Sequence, residues 1–142
     1  MKVLIPTDGS PASQAAVRQG LDLARKLSAQ VTLLYVEEPL GFLAIGPEVV
    51  PYYPALQKDY RAVGERALAQ AQELAQQEGV PAEIKLVEGH PVEAILAESH
   101  EHDLIVMGTH GRSGLSQLFL GSVTQGVLHR ATRPVVVVRA TT

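Results

Sequence analysis

Gly108, Gly111, Gly121 and Ser122 stand in the pattern Gly-x2-Gly-x9-Gly-Ser, inside the stretch MGTHGRSGLSQLFLGSVTQG that runs from Met107 to Gly126. Turns account for one or two such glycines, and the whole spacing fits a surface shaped around a ligand. Gly108 and Gly111 allow backbone to approach a bound group with no Cβ between them. Gly121-Ser122 opens a helical pattern, whose first amides have no intrahelical acceptor and carry the positive end of the helix dipole. Ser122 and Thr124 would add hydroxyl donors there, and Arg112 is the nearest cation. That combination suits a polyphosphate. A reading without a ligand also stands, with Gly108 and Gly111 as turns and Gly121-Ser122 as a helix cap. Neither Gly-x4-Gly-Lys-Ser/Thr nor a Gly-x-Gly-x-x-Gly after the first strand pattern is present.

A second polar cluster, Pro6-Thr7-Asp8-Gly9-Ser10, follows the first apolar run. Asp8 there either meets a ligand or caps backbone amides of the turn. His110 occupies the glycine-rich loop, but no nucleophile or orienting carboxylate stands beside it, so it reads as a packing or structural histidine. His100-Glu101-His102-Asp103 places its histidines at i and i+2, which share no helix face, and reads as a solvated turn. His90 and His129 belong to no cluster.

These residues need elements to position them. Lys2–Thr7, Gln30–Val36, Ala82–Val87, Asp103–Gly108 and Pro134–Arg139 read as strands, several apolar at consecutive positions, as in a parallel sheet covered on both faces. Between them lie helical patterns. Ser10-Pro11 supplies a cap and a first-turn proline, and Ala16, Gly20, Leu23 and Leu27 form one face. Tyr60, Val63, Ala67, Ala71 and Leu74 form a second stripe that stops at Gly79-Val80-Pro81. A short helix covers about Val92 to Ser99. A last one starts at Gly121-Ser122, where Ser122 and Gln125 fit a capping box. The order β-α-β-α-β-α-β-α-β, with right-handed crossovers, predicts one doubly wound α/β domain over residues 1–142. Ligands of such sheets bind beyond the carboxyl ends of strands, where the winding reverses. If the first and fourth strands are neighbours, Thr7-Asp8 and Gly108–Gly111 face one crevice. The stretch Glu38–Pro54 is long and rich in Pro, Gly and apolar residues, and reads as a lid, a subunit contact or a tolerated insertion.

Composition bounds the rest. The 142 residues are 46% hydrophobic and 19% charged with a net charge of −3, which suits one folded domain and argues against a nonspecific nucleic-acid binder. There is no cysteine, so disulfides, thiolate metal sites and cysteine nucleophiles are excluded. No apolar run approaches a membrane span, and the N-terminus lacks signal-peptide features, so a cytoplasmic protein is expected.

The chain as a whole resembles the universal stress proteins, a family of small α/β adenine-nucleotide-binding proteins. The resemblance is carried by PTDGS, by EGHPVEAILAESHEHDLIVMGTHG, by the glycine series and by the closing RPVVVVR. It implies a Rossmann-like fold of the adenine nucleotide alpha hydrolase type with strand order 3-2-1-4-5. It also implies membership of the family's ATP-binding branch, which keeps this glycine series. Adenine would then lie near Asp8 and Val36, and ribose near Pro6, Thr7 and Gly108. Phosphates would lie on Gly111, Arg112, Gly121, Ser122 and Val123, and Met107, His110 and Thr124 complete the expected site. Mg²⁺ or Mn²⁺ would arrive only with the phosphates. The expected function is a nucleotide-dependent stress-response module with an unidentified downstream partner. The alternative is a slow ATP hydrolase or phosphotransferase at the same site, without a P-loop lysine or kinase Asp/Asn pattern. A domain that binds no nucleotide is a third reading, and the acidic cluster of a phosphorylated receiver is missing. In the order 3-2-1-4-5 the all-valine strand Val135–Val138 would be an edge, and the family resemblance implies a homodimer through Pro134–Arg139.

Overall fold

The computed structural model describes residues 1–39, 53–109 and 121–139. Five strands form one sheet: β1 (Lys2–Pro6), β2 (Gln30–Glu37), β3 (Ala82–Glu88), β4 (Leu104–Gly108) and β5 (Val135–Val138). Their order is β3-β2-β1-β4-β5 and every pairing is parallel. β1 registers Val3 with Leu104 and Leu4 with Ile105, so the first and fourth strands are neighbours and the winding reverses between them. The expected five-stranded, doubly wound α/β fold is present.

The alternation of side chains along the strands divides the core in two. Val3, Ile5, Val31, Leu33, Tyr35 and Val106 face one layer, built by α1 (Pro11–Lys26) and α2 (Tyr53–Glu78). Leu4, Leu34, Ile105 and Met107 face the other, built by α3 (Pro91–Ser99) and α4 (Ser122–Arg130). Both faces are therefore covered, which is why the strands are apolar at consecutive positions.

The helices sit closer to the sheet than large apolar residues would permit. α1 buries Ser13, Ala16, Val17, Gly20, Leu21 and Ala24, whereas Leu27, expected on the buried stripe, is its exposed C-cap. α2 buries Gly64, Ala67, Leu68, Ala71 and Ala75, and Val63, also expected inside, is exposed. A Cβ at Gly20 would sit 2.8 Å from Ile5 Cδ1, the end of a side chain that can shift, whereas one at Gly64 would sit 2.7 Å from the body of the Tyr35 ring, a contact that selects glycine. α2 starts at Tyr53, inside the stretch expected to be loop through Pro54. Pro54 is tolerated because a first-turn proline forfeits no intrahelical bond. The remaining positions of that stretch, 40–52, lie outside the described residues. α2 ends as expected, with Gly79 at φ +67 and its amide donating to the Gln76 carbonyl at 3.1 Å.

Two further expectations are corrected. Ser122 does not cap α4: Gly121 is the N-cap, with no side-chain cap bond, and Ser122 is the first helical residue. The His100–Asp103 turn is not wholly solvated, because His102 is only 5% exposed. Its Nδ1 lies 2.9 Å from the Glu98 carbonyl and its Nε2 lies 2.8 Å from Thr32 Oγ1, so it joins the end of α3 to β2. Arg133 closes the same turn by donating to the His102 and His100 carbonyls at 2.8 and 3.0 Å. No group of three or more metal-binding side chains exists among the described residues.

Candidate functional site

The site begins with the end of β1. After Pro6 the Thr7 amide donates to the Leu34 carbonyl at 2.8 Å, which anchors the turn to β2. Thr7 Oγ1 accepts from Ser13 Oγ at 2.7 Å and from the Gly9 amide at 3.2 Å. Ser13 Oγ in turn accepts from the Asp8 amide at 3.0 Å, and Asp8 Oδ1 accepts from the Ser10 amide at 2.9 Å. Gly9 permits this tight path, with φ at +81, and a Cβ there would meet Ala67 at 3.0 Å. Ser10 Oγ then caps α1 through the Ser13 amide at 3.1 Å. Asp8 thus performs the backbone-capping role weighed from its sequence, and Thr7, with both acceptor positions used, retains one O–H as a donor.

The end of β4 supplies the opposite wall. The Thr109 amide donates to the Val138 carbonyl at 3.0 Å, and the Gly121 amide donates to the Thr109 carbonyl at 2.6 Å. Thr124 Oγ1 donates to the Gly108 carbonyl at 2.8 Å. This hydroxyl therefore positions α4 against β4 instead of serving as a donor for a bound anion. The first intrahelical bond runs from the Gln125 amide to the Gly121 carbonyl at 3.0 Å. The amides of Ser122, Val123 and Thr124 precede it, so they have no acceptor within the helix. Gly121 has φ −63, so its backbone does not demand glycine.

Between these walls lies a cavity of about 350 Å³. Pro6, Thr7, Asp8, Val36, Met107, Gly108, Gly121, Ser122, Val123 and Thr124 all line it. Ten of the expected site residues are therefore gathered at one place, at the carboxyl ends of β1, β2 and β4. His110, Gly111 and Arg112 lie outside the described residues. The sequence reading missed Ser13, Leu34, Tyr35, Glu38, Tyr60, Pro91 and Ile95, which complete the described lining. The strand-end rule applied to β2 would have found Leu34, Tyr35 and Glu38, and Pro91 opens the helix after β3. Tyr60 carried no signal beyond its place in the α2 stripe. The cavity is two-sided in character. The first turn of α4 offers it amides, and Leu34, Tyr60 and Ile95 add apolar or aromatic lining, a combination suited to a ligand that carries both an anion and a flat apolar group.

Comparison with known proteins places the chain in a family. The model of the universal stress protein family matches residues 1–139. The chain belongs to the universal stress protein family. It is 34% identical over 140 residues to universal stress protein MJ0531 of Methanocaldococcus jannaschii, covering 97% of this chain and 81% of that one. A universal stress protein of Mycolicibacterium smegmatis is 32% identical over 139 residues, and there the match spans 46% of the relative's length. Among solved structures, universal stress protein UspA from Lactobacillus plantarum superposes with a TM-score of 0.84 at 27% identity, covering 98% of this chain and 97% of that one. A universal stress protein in complex with cAMP superposes with a TM-score of 0.70 at 26% identity, covering 99% and 98%. No helix among the described residues is long and apolar enough to cross a membrane.

Proposed function

We propose that the cavity is an adenine-nucleotide site and that ATP is its ligand, making the chain a nucleotide-dependent regulatory module of the stress-response family. The observation that carries this is one cavity shared by the open N-terminus of α4 and the polar turn after β1. Phosphates belong at Gly121, Ser122 and Val123, where amides without intrahelical acceptors meet the positive end of the dipole. The family resemblance adds Gly111 and Arg112 to the phosphate end. Ribose belongs near Pro6, Thr7 and Gly108, with the Thr7 hydroxyl as a donor, and adenine near Asp8 and Val36. The solved universal stress protein holding cAMP supports an adenine nucleotide on this fold. Mg²⁺ or Mn²⁺ would be held through the phosphates.

Denaturing mass spectrometry of the freshly purified protein tests the reading, with ATP released from the wild type as the expected result. Protein that neither carries nor binds an adenine nucleotide would overturn it. The same preparation, incubated with ATP, distinguishes a binding module from a slow hydrolase. With no activated nucleophile or positioned base among the described lining residues, turnover is expected well below about 1 s⁻¹, the low end of ordinary enzyme rates. We also assign a homodimer to the β5 edge, because among the described residues β5 has a strand neighbour on one side only.

A further inference from the structure

Glu37 ends β2 with its side chain only 5% exposed. A carboxylate so buried needs a compensating charge, and Arg61 of α2 supplies it: Arg61 Nε donates to Glu37 Oε2 at 3.2 Å. Half of the Arg61 side chain, 49%, remains in solvent. The Glu37 main chain is held as well, since its carbonyl accepts the Gly89 amide at 2.9 Å from the turn after β3.

The position of this pair matters more than its strength. Neither Glu37 nor Arg61 lines the cavity, but their chain neighbours Val36, Glu38 and Tyr60 all do. The pleat of β2 turns Glu37 toward α2, while the residues on either side of it border the cavity. The pair also joins positions 24 apart in the chain, across the long connection between β2 and α2. It therefore fixes the separation between the end of β2 and the start of α2, which together make the wall on the far side of β1 from β4.

We infer that Arg61 is a positioning residue for the nucleotide site: through Glu37 it sets the distance between Tyr60 and Val36, and thereby the width of the cavity end opposite the phosphate-binding amides. This rests on the nucleotide reading of the cavity. Removing Arg61 leaves a buried, uncompensated carboxylate, which reaches water only if β2 or α2 shifts. Glu37→Gln keeps a hydrogen-bond acceptor of the same shape and removes the need for the cation.

The test combines calorimetric titration with ATP and hydrogen exchange without nucleotide. Arg61→Ala is expected to weaken ATP binding about tenfold, a size typical of residues that act on a site without touching its ligand. It is also expected to raise amide exchange in 34–38 and 57–63 selectively, leaving β1 and β4 at wild-type protection. Arg61→Lys should recover most of the affinity, and the double variant Glu37→Gln/Arg61→Ala should recover part of it. Lys85→Ala breaks the 2.9 Å pair with Glu98, neither member of which lines the cavity, and is expected to leave ATP affinity unchanged. If Arg61→Ala binds ATP as wild type does, or if exchange rises uniformly with a lowered melting temperature, Arg61 has only a structural role and the inference is overturned. If wild type binds no ATP, the nucleotide reading fails instead, and selective exchange at 34–38 and 57–63 still reports whether the pair holds that wall. Should Arg61→Ala fail to fold, Arg61→Lys and Glu37→Gln carry the same comparison.

Discussion

Gly64→Ala sets two effects of known sign against each other. An alanine in the interior of α2 favours the helix by about 1 kcal/mol over glycine. Its Cβ would lie 2.7 Å from both Tyr35 Cδ1 and Cε1 and 3.1 Å from Leu86 Cδ1. Contacts that short oblige something to move, and the obstacle is the body of an aromatic ring, not the end of a flexible chain. Tyr35 is 3% exposed and packed in the α1–α2 layer of the core, so moving the ring disturbs its packing there. Overpacking of this kind costs about 1–3 kcal/mol, and two ring atoms at one short distance place this site in the upper part of that range. The net expectation is a loss of about 1–2 kcal/mol, which lowers the urea midpoint by roughly 0.5–1 M for a domain of this size. Because Tyr35 also lines the cavity, ATP affinity should fall in the same variant. The assay is urea unfolding followed by circular dichroism at equal protein concentration. A Gly64→Ala protein more stable than wild type would refute the close-packing argument, since helix propensity alone would then have decided the outcome.

Three other predictions follow from single contacts. Thr124→Val keeps the shape of a 4% exposed side chain but removes the donor to the Gly108 carbonyl, so about 1–2 kcal/mol of stability should be lost in chemical denaturation, with weaker ATP binding as α4 loosens from β4. Val137→Lys should convert the proposed dimer to monomer by light scattering, and is a cleaner choice than Val136→Lys because Val136 packs against the core; a monomeric wild type at micromolar concentration would refute the assembly. The hydrogen bond to Glu98 raises the Lys85 ammonium above the ordinary lysine range, so the pair adds stability below the unfolded-state lysine pKa and loses it as pH rises through the raised folded value; Lys85→Met should flatten that alkaline loss, measured by melting temperature against pH.

Much of the fold was legible because short Val/Ile/Leu runs bounded by turn residues leave few alternatives to a covered parallel sheet. The helix faces were harder to read. The 3.6-period stripes took in Ala16, Gly20, Ala67 and Ala71, which are buried, but also Leu27 and Val63, which are exposed, and they passed over Ala24, Gly64 and Ala75, which are buried. Close approach to the sheet makes small size, not hydrophobicity, the property selected there. The Ser122-x-x-Gln125 pattern satisfies a capping box on paper, but with the Gly121 amide tied to the Thr109 carbonyl and the Thr124 hydroxyl tied to Gly108 the helix starts one residue earlier, at Ser122. His102 read as solvated because its buried partner Thr32 lies 70 positions away. A threonine within the apolar run of β2 was the available clue, since a buried hydroxyl requires a partner. The candidate site was legible at the ends of β1 and β4, where polar and glycine residues interrupt apolar strands. The β2 and α3 walls are apolar and look like core.

The central claim, that the open terminus of α4 receives the phosphates of ATP, is tested most directly by calorimetric titration of wild type and Gly121→Asp with ATP. The substitution is suited to the purpose because aspartate is itself a good N-cap and φ −63 is open to it, so α4 should be retained. Its carboxylate would occupy the first-turn amides and place a negative charge where the phosphates belong. Wild type is expected to bind ATP with measurable affinity and a folded Gly121→Asp protein is expected to bind none. Equal ATP affinity in the two proteins would contradict it.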